Sequence, residues 1–287
     1  MNKFLSKENI LYDFHTHIGD YQEFISYYNQ NIIPVINIRS KEEFLKIESF
    51  YERMCFESLL DNLDSNENKF INKSKKSKYG ENLLKINENC GSLFLSTGVH
   101  PFDSDKFDKK YGQDYELLLK KSNLIGEIGM DGSWCEIDKN TQKKKFLKSL
   151  EIGKKLNMPI VLHTKGMEKD IFNIISNFDL TYIVHWYSCN NFNEEFIDLG
   201  CYFTFGPAIF EDNNIRKLAK GVSVDRILIE TDGVDALEWL FKRKFNHKEL
   251  RGILINVIEE IANLRSETFE YIYSNIIKNS ERLLKGL

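Results

Sequence analysis

The chain has 287 residues, of which 42% are apolar and 29% charged, the make-up of a globular protein with enough apolar side chains for a full core. Its 39 Lys and Arg against 43 Asp and Glu leave a net charge of −4, which argues against a broad basic surface that coats nucleic acid. The five cysteines (Cys55, Cys90, Cys135, Cys189 and Cys201) are scattered with no Cys-x-x-Cys pair, so neither a disulfide framework nor a cysteine zinc site is expected, and a reducing, cytoplasmic setting is.

Met1 to Asn9 is polar and charged, so no signal peptide is expected. No run of ~18 apolar residues follows, so no membrane-spanning helix is expected either. Short apolar runs rich in β-branched residues then recur along the chain and predict eight strands. They are Ile10 to His15, Ile33 to Ile38, Leu93 to Thr97, Leu124 to Ile128, Pro159 to His163, Tyr182 to His185, Cys201 to Phe205 and Arg226 to Glu230.

Helical spacing of apolar residues appears between them: Phe44, Ile47, Phe50, Tyr51 and Met54; Phe146, Leu150 and Gly153; Ile171, Ile174 and Ile175; Phe192, Phe196 and Leu199. After His247, two further stripes run from Leu250 to Leu264 and from Ile272 to Leu284, expected against the outer face of the last strand. Buried-type strands alternating with helices imply a parallel α/β sheet, and a count of eight implies a (β/α)8 TIM barrel, with a doubly wound open sheet as the alternative. No repeat or linker is visible, so one domain over 1–287 is expected. Asp61 to Asn89 departs from this pattern: it is polar and lysine-rich, a long insertion before the third strand. It reads as a solvated loop or as an arm that docks a protein partner or guides nucleic acid, on the face opposite the strand ends.

Those ends carry the chemistry. His15 and His17 close the first strand, His100 follows the third, and Glu127 sits in the fourth. His163 ends the fifth, His185 the sixth, and Asp232 follows the eighth; of six histidines only His247 lies elsewhere. A single histidine or aspartate there is usually an ordinary loop residue, but all strand C-termini of a (β/α)8 barrel open on one face, where the set would converge. Imidazoles with carboxylates suit a divalent cation, Zn, Mn or Mg. Six candidate ligands (His15, His17, Glu127, His163, His185 and Asp232) exceed the three of a simple catalytic zinc site, so two cations bridged by Glu127 are expected. Such a pair suits hydrolysis of a phosphodiester, an amide or an ester. Asp232 is a candidate ligand and proton acceptor, so Asp232 and Glu127 are the expected catalytic carboxylates. His100, in Gly98-Val99-His100-Pro101, and Lys165 are candidate phosphate contacts, with a purely conformational turn as the alternative for His100.

In order along the chain, Asp13-Phe14-His15-Thr16-His17, Gly98-Val99-His100-Pro101, Gly126-Glu127-Ile128-Gly129-Met130-Asp131, Pro159 to His163, His185-Trp186-Tyr187-Ser188, Gly200 to Gly206 and Glu230-Thr231-Asp232 resemble the motifs of the TatD family of metal-dependent deoxyribonucleases, within the amidohydrolase-like barrels. The likeness runs from Asp13 to about Leu284. It implies His15, His17, Glu127 and Asp232 around one ion and Glu127, His163 and His185 around the other. It also implies DNA phosphodiester hydrolysis, from a 3′ end or on a single strand. Thr164-Lys165 stands where the family often has Ser-Arg, Cys189 replaces a usual Gly, and Gly233-Val234 replaces a frequent Ala-Pro. Lysine keeps the charge but not the two-pronged guanidinium, which puts substrate preference rather than the ligands in question. The His-Trp-aromatic-Ser and Glu-Thr-Asp-Gly variants are similar to family members from anti-phage gene clusters. An aminoacyl-tRNA editing deacylase, or a non-catalytic barrel working through the insertion, are the rival readings.

Overall fold

Each of the eight apolar runs folds as a β-strand whose ends fall within one residue of those expected: β1 (Leu11–Thr16), β2 (Ile32–Ile38), β3 (Phe94–Thr97), β4 (Ile125–Gly129), β5 (Ile160–His163), β6 (Tyr182–Val184), β7 (Tyr202–Phe205) and β8 (Ile227–Ile229). The structure is a computed structural model that describes residues 9–64 and 91–285. The expected insertion lies outside the described residues from position 65 on, and with it the docking or guiding role considered for it.

All pairing is parallel, in two sheets ordered β1-β2-β3 and β4-β5-β6-β7-β8. Two seams join them. At one, Ser96 pairs with Leu124, and the Thr97 N–H donates to the Leu124 carbonyl at 3.1 Å. At the other, the Asp232 N–H donates to the His15 carbonyl at 3.0 Å, and the Thr231 N–H donates to Asp13 Oδ1 at 2.9 Å. Tyr12, Phe14, Val35, Phe94, Leu124, Val161, Ile183, Tyr202 and Leu228 form one buried cluster. A cluster fed from all eight strand positions requires that the strands encircle it, so this is the expected (β/α)8 architecture. The alternate residues, such as Ile36, Ile125, Ile160, Leu162 and Ile227, belong to a larger cluster shared with the helices. Burial on both faces is why these strands read as continuous apolar runs.

The helices are α1 (Tyr21–Asn29), α2 (Lys41–Asp64), α3 (Phe107–Lys110), α4 (Tyr115–Lys120), α5 (Lys139–Leu156), α6 (Glu168–Ile175), α7 (Asn193–Asp198), α8 (Asn213–Gly221), α9 (Val234–Phe241), α10 (Leu250–Arg265) and α11 (Phe269–Lys285). The amphipathic stripes fold as α2, α5, α6, α7, α10 and α11. The others, four to nine residues long, were not among the expected helices. Aspartates start three helices: Asp20, Asp138 and Asp212 accept from backbone N–H groups of the first turns of α1, α5 and α8. Helix α11 reaches further than expected. Asn279 Nδ2 donates to the Val224 and Ile227 carbonyls beside β8, both at 2.9 Å, but Ile277, Leu283 and Leu284 pack on the interior cluster. Its last turns thus floor the barrel at the N-terminal end of the strands. Among the described residues no helix is long and apolar enough to cross a membrane.

Two β-bulges set the phase of the mouth. In β1, Asp13 pairs with Pro34 but Thr16 with Ile36, so β1 carries one extra residue there. Tyr12 and Phe14 face inward, and strict alternation would turn His15 out. The bulge reverses the phase, so His15 and His17 face in while Thr16 joins Asp13 outside, both bonded to the Tyr27 hydroxyl of α1. In β4, Ile125 pairs with Ile160 but Ile128 with Leu162, and the extra residue turns Glu127 inward. Gly126 makes this possible, since a Cβ there would lie 2.4 Å from the Val161 Cβ.

Asp13 ties the β8–β1 seam. Its carboxyl also accepts from the Thr231 hydroxyl at 2.5 Å and the Tyr27 hydroxyl at 3.2 Å. Burial pushes its pKa up to about 8, against the Thr231 bonds, which lower it. Asp13→Ala leaves a buried N–H and hydroxyl without their acceptor, so denaturant unfolding should show a loss of about 2–4 kcal/mol, against about 1 kcal/mol for Tyr27→Phe.

Candidate metal centre

Period-two counting from the interior cluster leads to the mouth: Val161 to His163, Ile183 to His185, and Leu228 through Glu230 to Asp232. With the two bulges, these strands bring every expected ligand around one buried carboxylate, that of Glu127. Its two oxygens face different groups. Oε2 lies 3.8 Å from His15 Nε2, 3.6 Å from His17 Nε2 and 4.0 Å from His100 Nε2. Oε1 lies 2.6 Å from His185 Nε2 and 3.5 Å from His163 Nδ1. Asp232 Oδ1 stands 3.6 Å from His15 Nε2 and 3.7 Å from His17 Nε2. His15 stacks on His185 with ring centroids 4.3 Å apart. His247 is remote, in a helical turn before α10.

Burial and charge act in opposition here. Burial pushes the Glu127 carboxyl up, but the His185 imidazolium beside it, with the hydrogen bond from His163, outweighs it and holds the group well below the usual carboxylate range. Burial, with His185 beside it, takes His15 well below the ordinary imidazole value, so it is neutral. Burial likewise takes His100 down to about 3. His185 goes the other way, because Glu127 outweighs its burial. Burial raises Asp232 to about 6, with His185 and His17 pulling it down.

The donor set fits divalent cations. His15 Nδ1 and Nε2, His185 Nδ1 and Glu230 Oε2 are buried without a hydrogen-bond partner, where an unpaired polar atom costs about 1–3 kcal/mol. Three groups have donor atoms close enough to share an ion: His15, His17 and Glu127; His100, Glu127 and His163; His15, His185 and Glu230. His100 is thus within ligand reach, and it also serves its turn, its Nδ1 accepting from the Phe102 N–H at 3.2 Å. Lys165 lines the cleft, a cavity of about 1070 Å³, with Nζ donating to Ser188 Oγ at 3.0 Å.

Three functional positions were not singled out from the sequence. Asn37 Nδ2 donates to Glu127 Oε2 at 2.9 Å. Asp131 Oδ2 lies 2.8 Å from His163 Nε2, while its Oδ1 accepts from the N–H groups of Ser133, Trp134 and Cys135. Glu230 accepts from the Trp186 N–H at 2.9 Å and lies 3.5 Å from His185 Nδ1. Asn37 and Glu230 sit two residues past Val35 and Leu228, so counting by two would have found both. Asp131 lies beyond β4, where Gly129 (φ +149°) carries the backbone over the His163 carbonyl; a Cβ there would stand 2.0 Å from that oxygen.

The sequence model of the family described as TatD related DNase matches residues 12–285. The uncharacterized metal-dependent hydrolase YabD of Bacillus subtilis is 28% identical over 210 residues, 70% of this chain and 81% of that protein. The uncharacterized metal-dependent hydrolase MJ1582 of Methanocaldococcus jannaschii is 28% identical over 200 residues, 68% of this chain and 76% of that protein. Among solved structures, the TatD homologue YJJV of Escherichia coli K12 superposes with a TM-score of 0.65 at 18% identity, over 96% of this chain and 98% of that one, a likeness of fold.

The Asp131 contact yields a test. Asp131→Asn keeps the loop acceptor but turns an amide N–H₂ toward His163 Nε2, which drives the ring proton to Nδ1 and removes the lone pair facing Glu127. Divalent-cation binding, followed by calorimetry with Mn or Zn, should weaken about 10–100-fold with the far-UV spectrum unchanged.

Proposed function

We propose that this chain, which belongs to the TatD-related DNase family of metal-dependent hydrolases, is a single-domain deoxyribonuclease that removes nucleotides from an end of single-stranded DNA, a 3′ end first among the alternatives. The observation that carries this reading is the split carboxylate of Glu127, with one oxygen facing His15 and His17 and the other His163 and His185. That arrangement supports two divalent cations, one held by His15, His17, Asp232 and Glu127 and the other by Glu127, His163 and His185. Bound there, Mg, Mn or Zn would polarise a water and offset the negative charge that builds on phosphorus in hydrolysis.

The chain's own residues do the rest. Asp232 is partly exposed at the cleft and takes the proton of the attacking water. Glu127 is held ionised and would offer one oxygen to each cation. His100, neutral and with its Nδ1 committed to the Phe102 N–H, points Nε2 at the centre and positions a phosphate oxygen. Lys165, steadied by Ser188, contributes a point charge to the same phosphate. Arg39, Lys110 and Lys165 line the cleft among several carboxylates, so a few cations at the mouth, rather than a broad basic surface, would meet the phosphate. DNA is therefore gripped locally rather than along a coated surface.

Purified protein supplied with Mg, Mn or Zn should shorten single-stranded oligodeoxynucleotides, and EDTA should stop it. Asp232→Asn should lower kcat by about 10²–10⁴. Failure to cut DNA with any of these cations, together with deacylation of aminoacyl-tRNA, would transfer the site to the ester-hydrolase reading.

A further inference from the structure

The chain has three tryptophans, and Trp134, Trp186 and Trp239 all line the cleft around the metal centre. Trp134 and Trp239 are 60% and 59% exposed, which is unusual for a side chain that buries well. They lie on opposite arcs of the mouth, in the loop after β4 and on α9 after β8. The Lys165 ammonium stands 4.9 Å from the Trp134 ring centroid, and Lys242 is at the same distance from Trp239. The charge around the two rings differs. Cations enter the cleft from the connections after β2, β3 and β5, as Arg39, Lys110 and Lys165, on the Trp134 arc, where Glu43 and Glu168 also line it and Arg39 and Lys110 are ion-paired with Asp103. Past β7 and β8 the cleft is lined instead by Glu211, Asp212 and Asp235, and Asp235 shares a face of α9 with Trp239 four residues on.

Exposed aromatic faces beside a phosphate-binding centre serve as platforms for unpaired bases, and a phosphate strand avoids carboxylates. Resting on the nuclease reading, we infer that the mouth holds two unlike nucleotide subsites. Trp134 with Lys165 stacks the base and neutralises the phosphate of the nucleotide that continues into the strand. Trp239, with Glu211, Asp212 and Asp235 beyond it, stacks the terminal nucleoside and repels any phosphate further along. The acidic arc thus confines cleavage to an end, because an uninterrupted strand would have to lay its next phosphate against three carboxylates. The same arc makes a phosphorylated terminus a poor substrate. Duplex DNA is excluded because its bases are not free to stack on either ring.

The test uses the full chain with Mn and five substrates: decathymidylate with hydroxyl ends, the same oligonucleotide with a 3′ or with a 5′ phosphate, a ten-unit abasic analogue, and a circular single strand. The preference for thymidylate over the abasic chain, read as a ratio of kcat/KM, should fall about tenfold in Trp134→Ala and in Trp239→Ala, and less in the Phe variants. A phosphate at one of the two ends should cost about fivefold or more, and Glu211→Gln with Asp235→Asn should recover it. Unchanged base preference in both tryptophan variants overturns the platforms. Circular single-stranded DNA cut as fast as linear, or a phosphate tolerated at both ends, overturns the acidic arc. If no oligonucleotide is cut, the nuclease reading fails instead. Quenching of tryptophan fluorescence in metal-free protein, by thymidylate but not by the abasic chain, then still decides for or against the platforms.

Discussion

A single buried carboxylate constrains this molecule. Glu127 lies almost fully enclosed at the mouth of the barrel, where removing a charge from water costs several kcal/mol even after relaxation. Its oxygens are met by Asn37 Nδ2 at 2.9 Å and His185 Nε2 at 2.6 Å, with four further imidazoles within about 4 Å. Those imidazoles only partly balance the centre, because Asp131, Glu230 and Asp232 add negative charge around it and His15 is kept neutral. A set of donors with buried lone pairs and excess negative charge suits a divalent cation. Apolar strand ends would be cheaper to bury, so stability alone does not account for this cluster.

Putting that carboxylate in place required two departures from regular sheet. The inward and outward alternation of a strand has a fixed phase, and in β1 and β4 the phase set by Tyr12, Phe14 and Leu124 is wrong for His15 and Glu127. One extra residue in each strand corrects it. β5, β6 and β8 need no such correction, since His163, His185 and Asp232 follow the interior residues at even spacing. The bulges therefore fall on the strands that carry the opening ligands and the bridge. Each is held from outside: in β1 by Asp13 and Thr16 on Tyr27, in β4 by the glycine that lets the backbone close on Val161.

What was legible in the sequence follows from the same physics. The eight strands could be read because each is buried on both faces and so is a short unbroken apolar run. The candidate ligands could be picked out because several histidines and acids at strand ends are rare enough for their coincidence to inform. The helices α1, α8 and α9 were not seen, although at eight or nine residues they are no shorter than α6 and α7, which were. Asn37, Asp131 and Glu230 were missed for a physical reason. Their roles exist only in pairs, with Glu127, His163 and His185, and a pair formed across the barrel leaves no mark in local spacing. Asp131 and Glu230 stood inside recognised motifs as letters without a task, and Asn37 stood in none.

The departures from the family pattern fall where the structure separates two tasks. Ligands sit on strand ends, fixed by ladder bonds, bulges and the carboxylates behind them. Thr164-Lys165, Cys189 and Gly233-Val234 sit one to five residues beyond those ends, in the connections that follow β5, β6 and β8. A lysine at position 165 brings one ammonium rather than a planar fork, but it gains an anchor in Ser188 and a partner in Trp134, itself another loop residue. Change there alters the wall of the cleft without moving the candidate ligands. A rigid ring of ligands under variable loops is how this fold supports one chemistry on many substrates, so the loops are where substrate choice in this chain has to be written.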